Sequence, residues 1–580
     1  MSSELKIGKR YPHKWGFDDT EFFLNEKGIA VVKGDRYPIS GLELPRFMDF
    51  VNEGLDISVN ISDTLQEVEK PIVEPNINET FLKAIKSFFD ESLYTFDNEE
   101  RTIRSHGQTP VDDYMKVMYD KLDRVVDMVF FCENEDSGKK LIELAHEHDV
   151  CLIPYGGGTN VSCALQVPTD ESRMVVSLDV RRMNSIEWID FENNLACVQA
   201  GMSGIELEKA LQEHGYMFGH EPDSIELSTL GGWVSTNASG MKKNRYGNIE
   251  ELVERIHCIT PKGEITTRAS SARQSTGSDV QQLLFGSEGN FGLITKVVIR
   301  IRRLPENSEY ESVVFSDFHR GTAFMRDLQA SGTPPASIRL VDNWQFRFAQ
   351  ALKPASSRMG AIKSKLQRFV LEKIRHMDLK SIAVATIVYE GAASEVEEQK
   401  QRVNKLVKRH GGIHAGASNG RGGYLLTYLI AYIRDFLAQF HIISETYETT
   451  VPWNKISVVC ESVREEAIKK HKEFGLPGRP YISPRITQIY PSGVCIYFTH
   501  AFSTEGFQGS SIEVFSDVER HLRQVILDNG GSLSHHHGVG KLRASFIDQV
   551  HSEPSIEMLR NAKKTIDPKN IFGVKNNAFA

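Results

Sequence analysis

Between residues 128 and 305 the chain alternates between short apolar runs and amphipathic stretches, which indicates a mixed α/β unit. Residues 128–132 and 150–154 are continuous apolar runs, and each predicts a buried strand. Residues 137–148 lie between them and repeat apolar positions at helical spacing, which predicts a helix. This βαβ-like unit leads the chain directly into a glycine-rich segment at 155–160.

The rest of this region predicts one capped helix and several strands. Ser203 and Glu206 have the spacing of a capping box, so a helix is expected to start there and to be closed at Gly215. Leu304-Pro305 then marks a boundary. Alternating apolar and polar residues predict strands at 186–190, 195–200, 254–259, 264–267 and 293–302, the first four as two hairpins.

After residue 305 the pattern changes. Residues 361–377 form a basic segment at helical spacing, residues 411–423 are glycine-rich and predict a loop, and residues 494–498 predict a strand. A solvated surface helix is one interpretation of the basic segment, and contact with anionic lipid headgroups is the other.

Composition narrows the class of protein. At 580 residues the chain is too long for one small core. The balance of 68 basic and 77 acidic residues gives a net charge of -9, which argues against a general nucleic-acid binder. No apolar run is long enough to span a bilayer, and the first residues have no apolar stretch typical of a secretory signal. The 7 cysteines, without a Cys-x-x-Cys pair, favour reduced thiols in an intracellular compartment.

Three segments rich in small residues could hold a cofactor. The first, Gly156-Gly-Gly-Thr-Asn160, follows a buried strand, where successive backbone N–H groups can approach a phosphate closely. The second spans 219–240, and a loop of that length in a compact domain is usually functional. The third, 286–292, precedes a predicted strand. Each segment alone is also compatible with a turn, and the first is neither a Rossmann nor a Walker motif.

In this order and spacing, the three segments resemble the FAD-binding domain of the vanillyl-alcohol oxidase / p-cresol methylhydroxylase flavoprotein family. The resemblance covers about residues 120–305 and implies that the cofactor is FAD. Family members with covalent flavin often have histidine in the glycine loop, and Thr159 stands at about that place, so non-covalent FAD is expected. The residues expected to bind the cofactor are Pro154, Tyr155, Gly156, Gly157, Gly158, Thr159, Asn160, Asp223, Ser224, Ser228, Thr229, Gly231, Gly232, Thr236, Asn237, Ala238, Ser239, Glu288, Gly289, Asn290, Phe291, Gly292 and Ile294.

The resemblance also implies the fold class. We expect an α+β protein, with a two-subdomain FAD-binding fold of the vanillyl-alcohol oxidase type and an α+β cap domain made of an antiparallel sheet with flanking helices. The expected division is an N-terminal extension packing on the core (1–85), the FAD-binding domain (86–305), the cap or substrate domain (306–545) and a C-terminal segment returning to the FAD domain (546–580).

A fourth motif, His535-His536-His537 followed by Gly-Val-Gly, offers imidazoles that titrate near neutral pH. On a strand, His535 and His537 would share one face and His536 the other. Proton transfer or substrate contact is the favoured role, with a solvated loop and metal binding as alternatives. No metal site is predicted, because no second histidine or cysteine cluster supplies further ligands.

The triple histidine is similar to that of the alkyldihydroxyacetonephosphate synthase family, whereas D-2-hydroxyacid dehydrogenases of the same flavin family usually have glutamate where His536 stands. The likeness extends to residues 14–16, 33–38, 337–340, 425–435 and 567–573.

This resemblance implies a non-redox FAD-dependent transferase that replaces the acyl chain of acyl-dihydroxyacetone phosphate by a fatty alcohol. It assigns proton transfer to Tyr497 with His535, His536 and His537, and substrate contact to Arg434 and Arg339. Lys541 and Arg543 are further candidates for phosphate contact.

Two other functions stay open. One is a flavin-dependent D-2-hydroxyacid dehydrogenase or oxidase, and the other is a non-catalytic lipid-binding flavoprotein. The favoured family also implies a homodimer, a peroxisomal location and peripheral contact with a membrane surface. Residues 6–13 partly resemble an N-terminal peroxisomal import signal, but Lys14 departs from it, and the final residues 578–580 are not a Ser-Lys-Leu-type address.

Overall fold

A computed structural model describes residues 8–267, 272–354, 377–417, 420–421 and 426–580. The basic segment predicted at 361–377 lies outside the described residues except for Met377, and part of the glycine-rich stretch 411–423 lies outside them as well. No helix in these ranges is both long enough and apolar enough to cross a membrane.

The described strands form five sheets. They are β1 (Phe22–Leu24), β2 (Ala30–Val32), β3 (Glu43–Leu44), β4 (Tyr94–Thr95), β5 (Met128–Phe131), β6 (Cys151–Tyr155), β7 (Val175–Asp179), β8 (Ile186–Asp190), β9 (Leu195–Gln199), β10 (Tyr216–Met217), β11 (Val253–Thr260), β12 (Gly263–Ile265), β13 (Leu293–Arg300), β14 (Arg302–Arg303), β15 (Asn307–Phe315), β16 (Ser337–Val341), β17 (Ala383–Gly391), β18 (Ile413–His414), β19 (Ile442–Pro452), β20 (Tyr481–Ile489) and β21 (Gly493–Ser503).

Helices flank these sheets. They are α1 (Phe47–Leu55), α2 (Glu79–Phe88), α3 (Asn98–Ile103), α4 (Val111–Tyr119), α5 (Glu135–His148), α6 (Gly204–Gln212), α7 (Leu230–Thr236), α8 (Lys243–Tyr246), α9 (Ile249–Leu252), α10 (Phe318–Ala330), α11 (Asn343–Ala351), α12 (Ala393–Arg409), α13 (Ile430–Ala438), α14 (Ile456–Glu473), α15 (Ser511–Asp528), α16 (Ile547–Val550) and α17 (Glu553–Ile566).

Two sheets of different topology build the region between residues 94 and 300. The first has the order β4-β5-β7-β6, with β5, β7 and β6 parallel, and α5 connects β5 to β6. The second is antiparallel, in the order β12-β11-β13-β9-β8. Helix α6 starts at Ser203, which forms the predicted capping box with Glu206. The predicted strands and helices of this region are therefore confirmed to within about two residues.

The second half is built on one large antiparallel sheet with the order β18-β15-β17-β16-β20-β21-β19. The long strands β19 and β21 pair over their whole length, which places Glu448 directly opposite Tyr497. Helices α10, α12, α14 and α15 cover one face of this sheet and enclose an apolar core. The mixture of helices with a mainly antiparallel sheet confirms the predicted α+β class.

The C-terminal residues pack back onto the first half of the chain. The amide of Leu152 in β6 donates to the carbonyl of Ile571 at 2.7 Å, and Ile571 and Phe572 are fully buried in the core beneath β5, β6 and β7. The Asn576 side chain donates to the carbonyls of Glu288 and Ala164 at 2.9 and 3.0 Å. This segment therefore connects the predicted glycine loop to the third cofactor segment.

Candidate active site

The glycine loop 156–160 packs against the second predicted cofactor segment. A Cβ atom on Gly157 would lie 2.3 Å from the carbonyl oxygen of Leu227, and one on Gly156 would lie 2.5 Å from Oγ1 of Thr229. Neither position can therefore carry a side chain without moving the opposite loop. The backbone N–H groups of residues 156–160 have no hydrogen-bond acceptor among the described residues. Successive unpaired N–H groups on a glycine loop are suited to a bound phosphate or diphosphate.

These two loops and the third segment line a cleft of about 290 Å³. All predicted cofactor residues border it except Asn237, Asn290 and Phe291. Asn237 caps the end of α7 in the left-handed conformation, at a φ of 51°. Asn290 donates to the carbonyls of Ser287 and Asn576, and the ring of Phe291 packs edge-on against Phe579, 5.4 Å between centroids. These contacts show that the three residues hold the cleft wall together, and their contact with the cofactor stays a prediction.

Tyr497 lies at one end of this cleft, on β21. Its hydroxyl is 2.8 Å from Nε2 of His536 and 2.6 Å from Nε2 of His537. Burial raises the pKa of Tyr497 well above the usual range, so the side chain is a neutral phenol at physiological pH. A buried phenol between two imidazoles can accept one proton only as it passes its own proton to a neighbour.

The three histidines do not form the strand that would have put His535 and His537 on one face. They belong to a turn held by the carboxylate of Glu448, which accepts the N–H groups of His535, His536 and His537 at 2.5, 3.3 and 2.9 Å. It also accepts the Ser534 hydroxyl at 2.8 Å. As a result His536 and His537 both reach Tyr497. His535 lies outside the cleft lining, and its Nε2 is 2.5 Å from the Tyr490 hydroxyl.

Burial lowers the pKa of all three histidines, to about 3 for His535. Burial acts in the opposite direction on Glu448, but the neighbouring His537 and His536 outweigh it and lower the pKa of this carboxyl well below its usual range. Burial thus favours the neutral form of each imidazole, whereas the Glu448 carboxylate, which accepts the N–H groups of the turn, favours the charged form.

A second carboxylate holds the other side of the turn. Glu288 accepts the N–H groups of Val539 and Gly540 at 3.0 and 2.9 Å. Burial raises the pKa of Glu288 to about 7. Gly540 has a φ of 52°, and a Cβ atom there would lie 2.0 Å from the Ser162 carbonyl oxygen, so only glycine fits. The predicted cofactor residue Glu288 thus borders the cleft while its carboxylate positions the histidine turn.

Two arginines meet beside Tyr497. Asp223 is 3.3 Å from Nη2 of Arg339 and 3.7 Å from Nη2 of Arg485. The Arg485 guanidinium also lies over the Tyr497 ring, 4.6 Å from its centroid, and burial lowers its pKa. Its Nε has no hydrogen-bond partner among the described residues. Arg339 was predicted, but Arg485 was not, because a lone arginine in strand β20 has no distinctive spacing.

The other predicted cations have internal partners. Arg434 donates to the carbonyls of Gln108 and Thr109 at 2.8 and 2.7 Å and pairs with Asp435. Lys541 donates to the Ala164 carbonyl and the Asn576 side chain, and Arg543 donates to the Gly538 and Val161 carbonyls. These contacts give Arg434, Lys541 and Arg543 structural roles in the described fold, although Arg434 also borders a second cavity.

That second cavity, of about 380 Å³, is mainly apolar and adjoins the cofactor cleft. Tyr37, Phe50, Phe346, Phe348, Leu352 and Leu437 contribute to its walls. The two cavities share the lining residues Thr109, Val161, Arg339, Thr427, Ile430, Ala431, Thr446 and Arg485. The arginine pair therefore lies where a nucleotide-sized cleft meets an apolar cavity.

One group with metal-ligand chemistry occurs in the part of the chain that the structure describes. Cys495, His535 and His536 each bring a ligand atom within 4.8 Å of the others. β21 thus places one cysteine beside two of the histidines, and the absence of a metal site stays a prediction.

Two protein-family models match this chain, one in each half of the fold. A model described as "FAD binding domain" matches residues 126–268, and one described as "FAD linked oxidases, C-terminal domain" matches residues 304–575. The chain is 39% identical to the alkyldihydroxyacetonephosphate synthase of Caenorhabditis elegans, over 97% of this chain and 94% of the relative. This chain belongs to the alkyldihydroxyacetonephosphate synthase family.

Other family members agree. The Dictyostelium discoideum alkyldihydroxyacetonephosphate synthase is 29% identical over 96% of this chain and 92% of the relative. A solved alkyldihydroxyacetonephosphate synthase structure superposes with a TM-score of 0.84 at 26% identity, covering 98% of both chains. The structure of p-cresol methylhydroxylase matches with a TM-score of 0.64 at 14% identity, over 85% of this chain and 95% of that one. This last likeness confirms the predicted fold type alone.

Within this synthase-family chain, sequence reasoning missed three functional candidates: Arg485, Glu448 and Tyr490. Glu448 stands in an alternating strand, where a glutamate usually faces solvent, yet it is fully buried. Arg485 stands among serine, threonine and glutamine residues in β20, so no local sequence pattern selects it. The partners of Glu448 and Tyr490 lie 40 or more residues away in sequence and are visible only in the fold.

Proposed function

We propose that this protein exchanges the acyl chain of acyl-dihydroxyacetone phosphate for a fatty alcohol, giving alkyl-dihydroxyacetone phosphate and a fatty acid with no net oxidation. The observation that carries the proposal is that Tyr497, His536 and His537 border the cofactor cleft, while Arg485, which lies over the Tyr497 ring, borders both this cleft and the apolar cavity. A proton-transfer group, a cationic pair and a lipid-sized apolar cavity are the parts that this reaction needs in one place.

FAD is the cofactor that the cleft fits. The unpaired N–H groups of residues 156–160 would hold the diphosphate, and the loops at 224–239 and 288–294 would border the rest of the cofactor. When bound, oxidised FAD supplies an electrophile for the substrate carbon. We further propose that it is held non-covalently, because Thr159 is not a residue that forms a stable bond to flavin. Acid precipitation should then release all of the yellow cofactor into the supernatant.

Tyr497 would remove the proton from the substrate carbon next to the ketone. That proton is mildly acidic, and a well-placed general base contributes roughly 10²–10⁴-fold to such a step. Because Tyr497 is a neutral phenol, its own proton moves to His536 or His537 as the substrate proton arrives.

Arg339 and Arg485 would bind the phosphate head. Guanidinium groups bind phosphate oxygens in pairs, and both of these arginines lie beside the same carboxylate, that of Asp223. The acyl or alkyl chain would then lie in the apolar cavity. Arg434 remains a predicted substrate contact from that cavity's wall, although its donors are used by the backbone of residues 108–109.

The decisive experiment measures incorporation of labelled hexadecanol into alkyl-dihydroxyacetone phosphate by the purified flavoprotein. We expect turnover in the wild type and a loss of at least about 100-fold in Tyr497→Phe. Reduction of the flavin by a 2-hydroxy acid, with no ether product, would instead favour the dehydrogenase alternative. Absence of both activities in a folded, yellow protein would favour the non-catalytic alternative.

The cellular setting is part of the same proposal. We propose a peroxisomal homodimer that contacts a membrane surface to collect its long-chain substrates. The four-part division at residues 85, 305 and 545 is likewise proposed. Fractionation of peroxisomes, sedimentation analysis and co-sedimentation with anionic vesicles test the first three points. Limited proteolysis tests the boundaries.

A further inference from the structure

A continuous hydrogen-bonded chain leads from the reacting end of Tyr497 to a second tyrosine outside the cleft. The Tyr497 hydroxyl meets Nε2 of His536 at 2.8 Å, and Nδ1 of His536 lies 2.6 Å from Nδ1 of His535. Nε2 of His535 lies 2.5 Å from the Tyr490 hydroxyl. We call Tyr497, His536, His535 and Tyr490 the tyrosine–histidine chain. Its first two members border the cofactor cleft, and its last two do not.

The contact between the two Nδ1 atoms fixes how protons are ordered along this chain. Two ring nitrogens at 2.6 Å share one proton, since two protons would clash and two lone pairs would repel. A neutral imidazole carries a single N–H, so the histidine that donates from Nδ1 has a bare Nε2, and its neighbour carries an Nε2–H. His535 and His536 are therefore opposite tautomers.

Only two proton orders satisfy every link. In the first, Tyr490 donates to His535, His535 donates to His536, and His536 donates to Tyr497. In the second, Tyr497 donates to His536, His536 donates to His535, and His535 donates to Tyr490. Tyr497 can pass its proton into this chain only in the second order, because only then does its hydroxyl proton point at His536 and not at His537. A hydroxyl at residue 490 suits both orders, since it can donate or accept.

We propose that Tyr490 is a positioning residue for the exchange reaction: its hydroxyl orients His535 so that the His535–His536 pair holds the substrate proton between its removal and its return. The inference rests on the proposed function. The bond from hydrogen to the substrate carbon breaks, its electron pair stays on carbon, and the proton goes to the Tyr497 oxygen. The Tyr497 proton moves to Nε2 of His536, and the Nδ1 proton of His536 moves to Nδ1 of His535. The reverse sequence returns the proton, so none is lost or gained.

The charged residues around the His535–His536 pair are compatible with a pair that holds a proton for part of each turnover. The Glu448 carboxylate lies on the backbone of both histidines and offsets the positive charge that the pair acquires. The positive charge of Lys243 opposes protonation of His535, and its Nζ lies 3.4 Å from the centre of the Tyr490 ring. Because the two rings share one Nδ1 proton and carry one Nε2–H, the pair is neutral before each turnover and returns to that state when the proton leaves. This arrangement also gives His535 a function, although it does not border the cleft.

The test compares Tyr490→Phe with Tyr447→Phe in the FAD-loaded enzyme. Tyr447 is a matched control because it is fully buried on β19 and its hydroxyl has no partner among the described residues. We expect Tyr490→Phe to lower kcat about 10-fold or more, to leave KM for acyl-dihydroxyacetone phosphate within about 2-fold, and to reduce the solvent isotope effect on kcat. Tyr447→Phe should change none of these.

Two further measurements separate a proton-ordering role from a structural one. In ¹⁵N-histidine spectra of the holoenzyme, Tyr490→Phe should change the tautomer of His535 and leave His537 unchanged. His535→Asn should lower kcat by itself, and it should cost less than about 2-fold more when added to Tyr490→Phe. Unchanged kcat and unchanged spectra in a folded Tyr490→Phe enzyme would overturn the inference while wild-type exchange still stands. Wild-type protein that makes no ether product would instead overturn the proposed function.

Discussion

Two glutamates lie three residues apart on β19, and replacing each by glutamine should change the stability of the protein in opposite directions. Glu448 accepts four hydrogen bonds: Oε1 receives Ser534, His536 and His537, and Oε2 receives His535. In Glu448→Gln the second oxygen becomes an NH₂ group that faces the N–H of His535. The buried charged acceptor is lost and the N–H of His535 has no partner, so the free energy of unfolding should fall by about 3–5 kcal/mol.

Glu445 gives the matched control. It accepts one hydrogen bond, from the N–H of Val111 at 2.9 Å, and burial raises its pKa to about 8. At pH 7 this carboxyl is neutral in the folded protein and ionised in the unfolded chain, which opposes folding by at most about 4 kcal/mol. Glu445→Gln removes that cost and keeps an acceptor for Val111, so the protein should be as stable as the wild type or more stable.

The pH dependence of folding stability tests whether Glu448 stabilises the protein and Glu445 destabilises it. The pKa of Glu448 is depressed in the folded state, so its stabilisation is present above the unfolded pKa of about 4.3 and is lost as pH falls through the folded pKa. The pKa of Glu445 is raised, so its contribution is present below about pH 4.3 and is lost as pH rises through about 8.

Thermal midpoints of both variants at pH 7.5 and 4.5, with kcat at pH 7.5, provide the assay. Glu448→Gln should melt earlier at pH 7.5 and lose most exchange activity. The gain in Glu445→Gln should shrink at pH 4.5. If both variants shift the midpoint in the same direction at pH 7.5, the assigned charge states of this strand are incorrect.

Two other substitutions test the cleft and the arginine pair. Gly157→Ala places a Cβ atom 2.3 Å from the Leu227 carbonyl oxygen, so the purified protein should lose its absorption near 450 nm on dialysis. Gly54→Ala, which has no positive φ and would make only an ordinary 3.5 Å contact with the Tyr481 ring, should stay yellow, and equal flavin content in the two would refute the loop-packing argument. Arg485→Met should raise KM for acyl-dihydroxyacetone phosphate about 10-fold or more while flavin binding persists, because one of the two cations beside Asp223 is removed. An unchanged KM would remove Arg485 from the phosphate site.

Local pattern was sufficient to predict much of the first half of the fold. The apolar runs of β5 and β6 and the capping box of α6 depend on neighbours close in sequence, and they were located to within about two residues. The glycine loop was also predictable, since its conformation and its lack of side chains are local properties.

The remainder of the site depends on contacts between distant segments. The turn of the three histidines is set by Glu448, which lies 87 residues before His535, so a strand-based prediction of their faces was wrong. Arg434 stays a predicted substrate contact by family correspondence, and its hydrogen bonds to residues 108–109 are a feature that no sequence pattern indicated. The contacts of Asn290 and Phe291 with the C-terminal residues were likewise not predictable from their motif.

The return of the C-terminal segment sets a limit on when the protein can acquire its flavin. Val574 borders the cleft, and Asn576 contacts Ala164, 412 residues earlier in the chain. A nascent polypeptide therefore has an open cleft until residue 576 has left the ribosome. We therefore expect stable flavin retention only after the C-terminal segment has packed onto the cleft, and a chain truncated before residue 571 should be made in cells yet purify without colour.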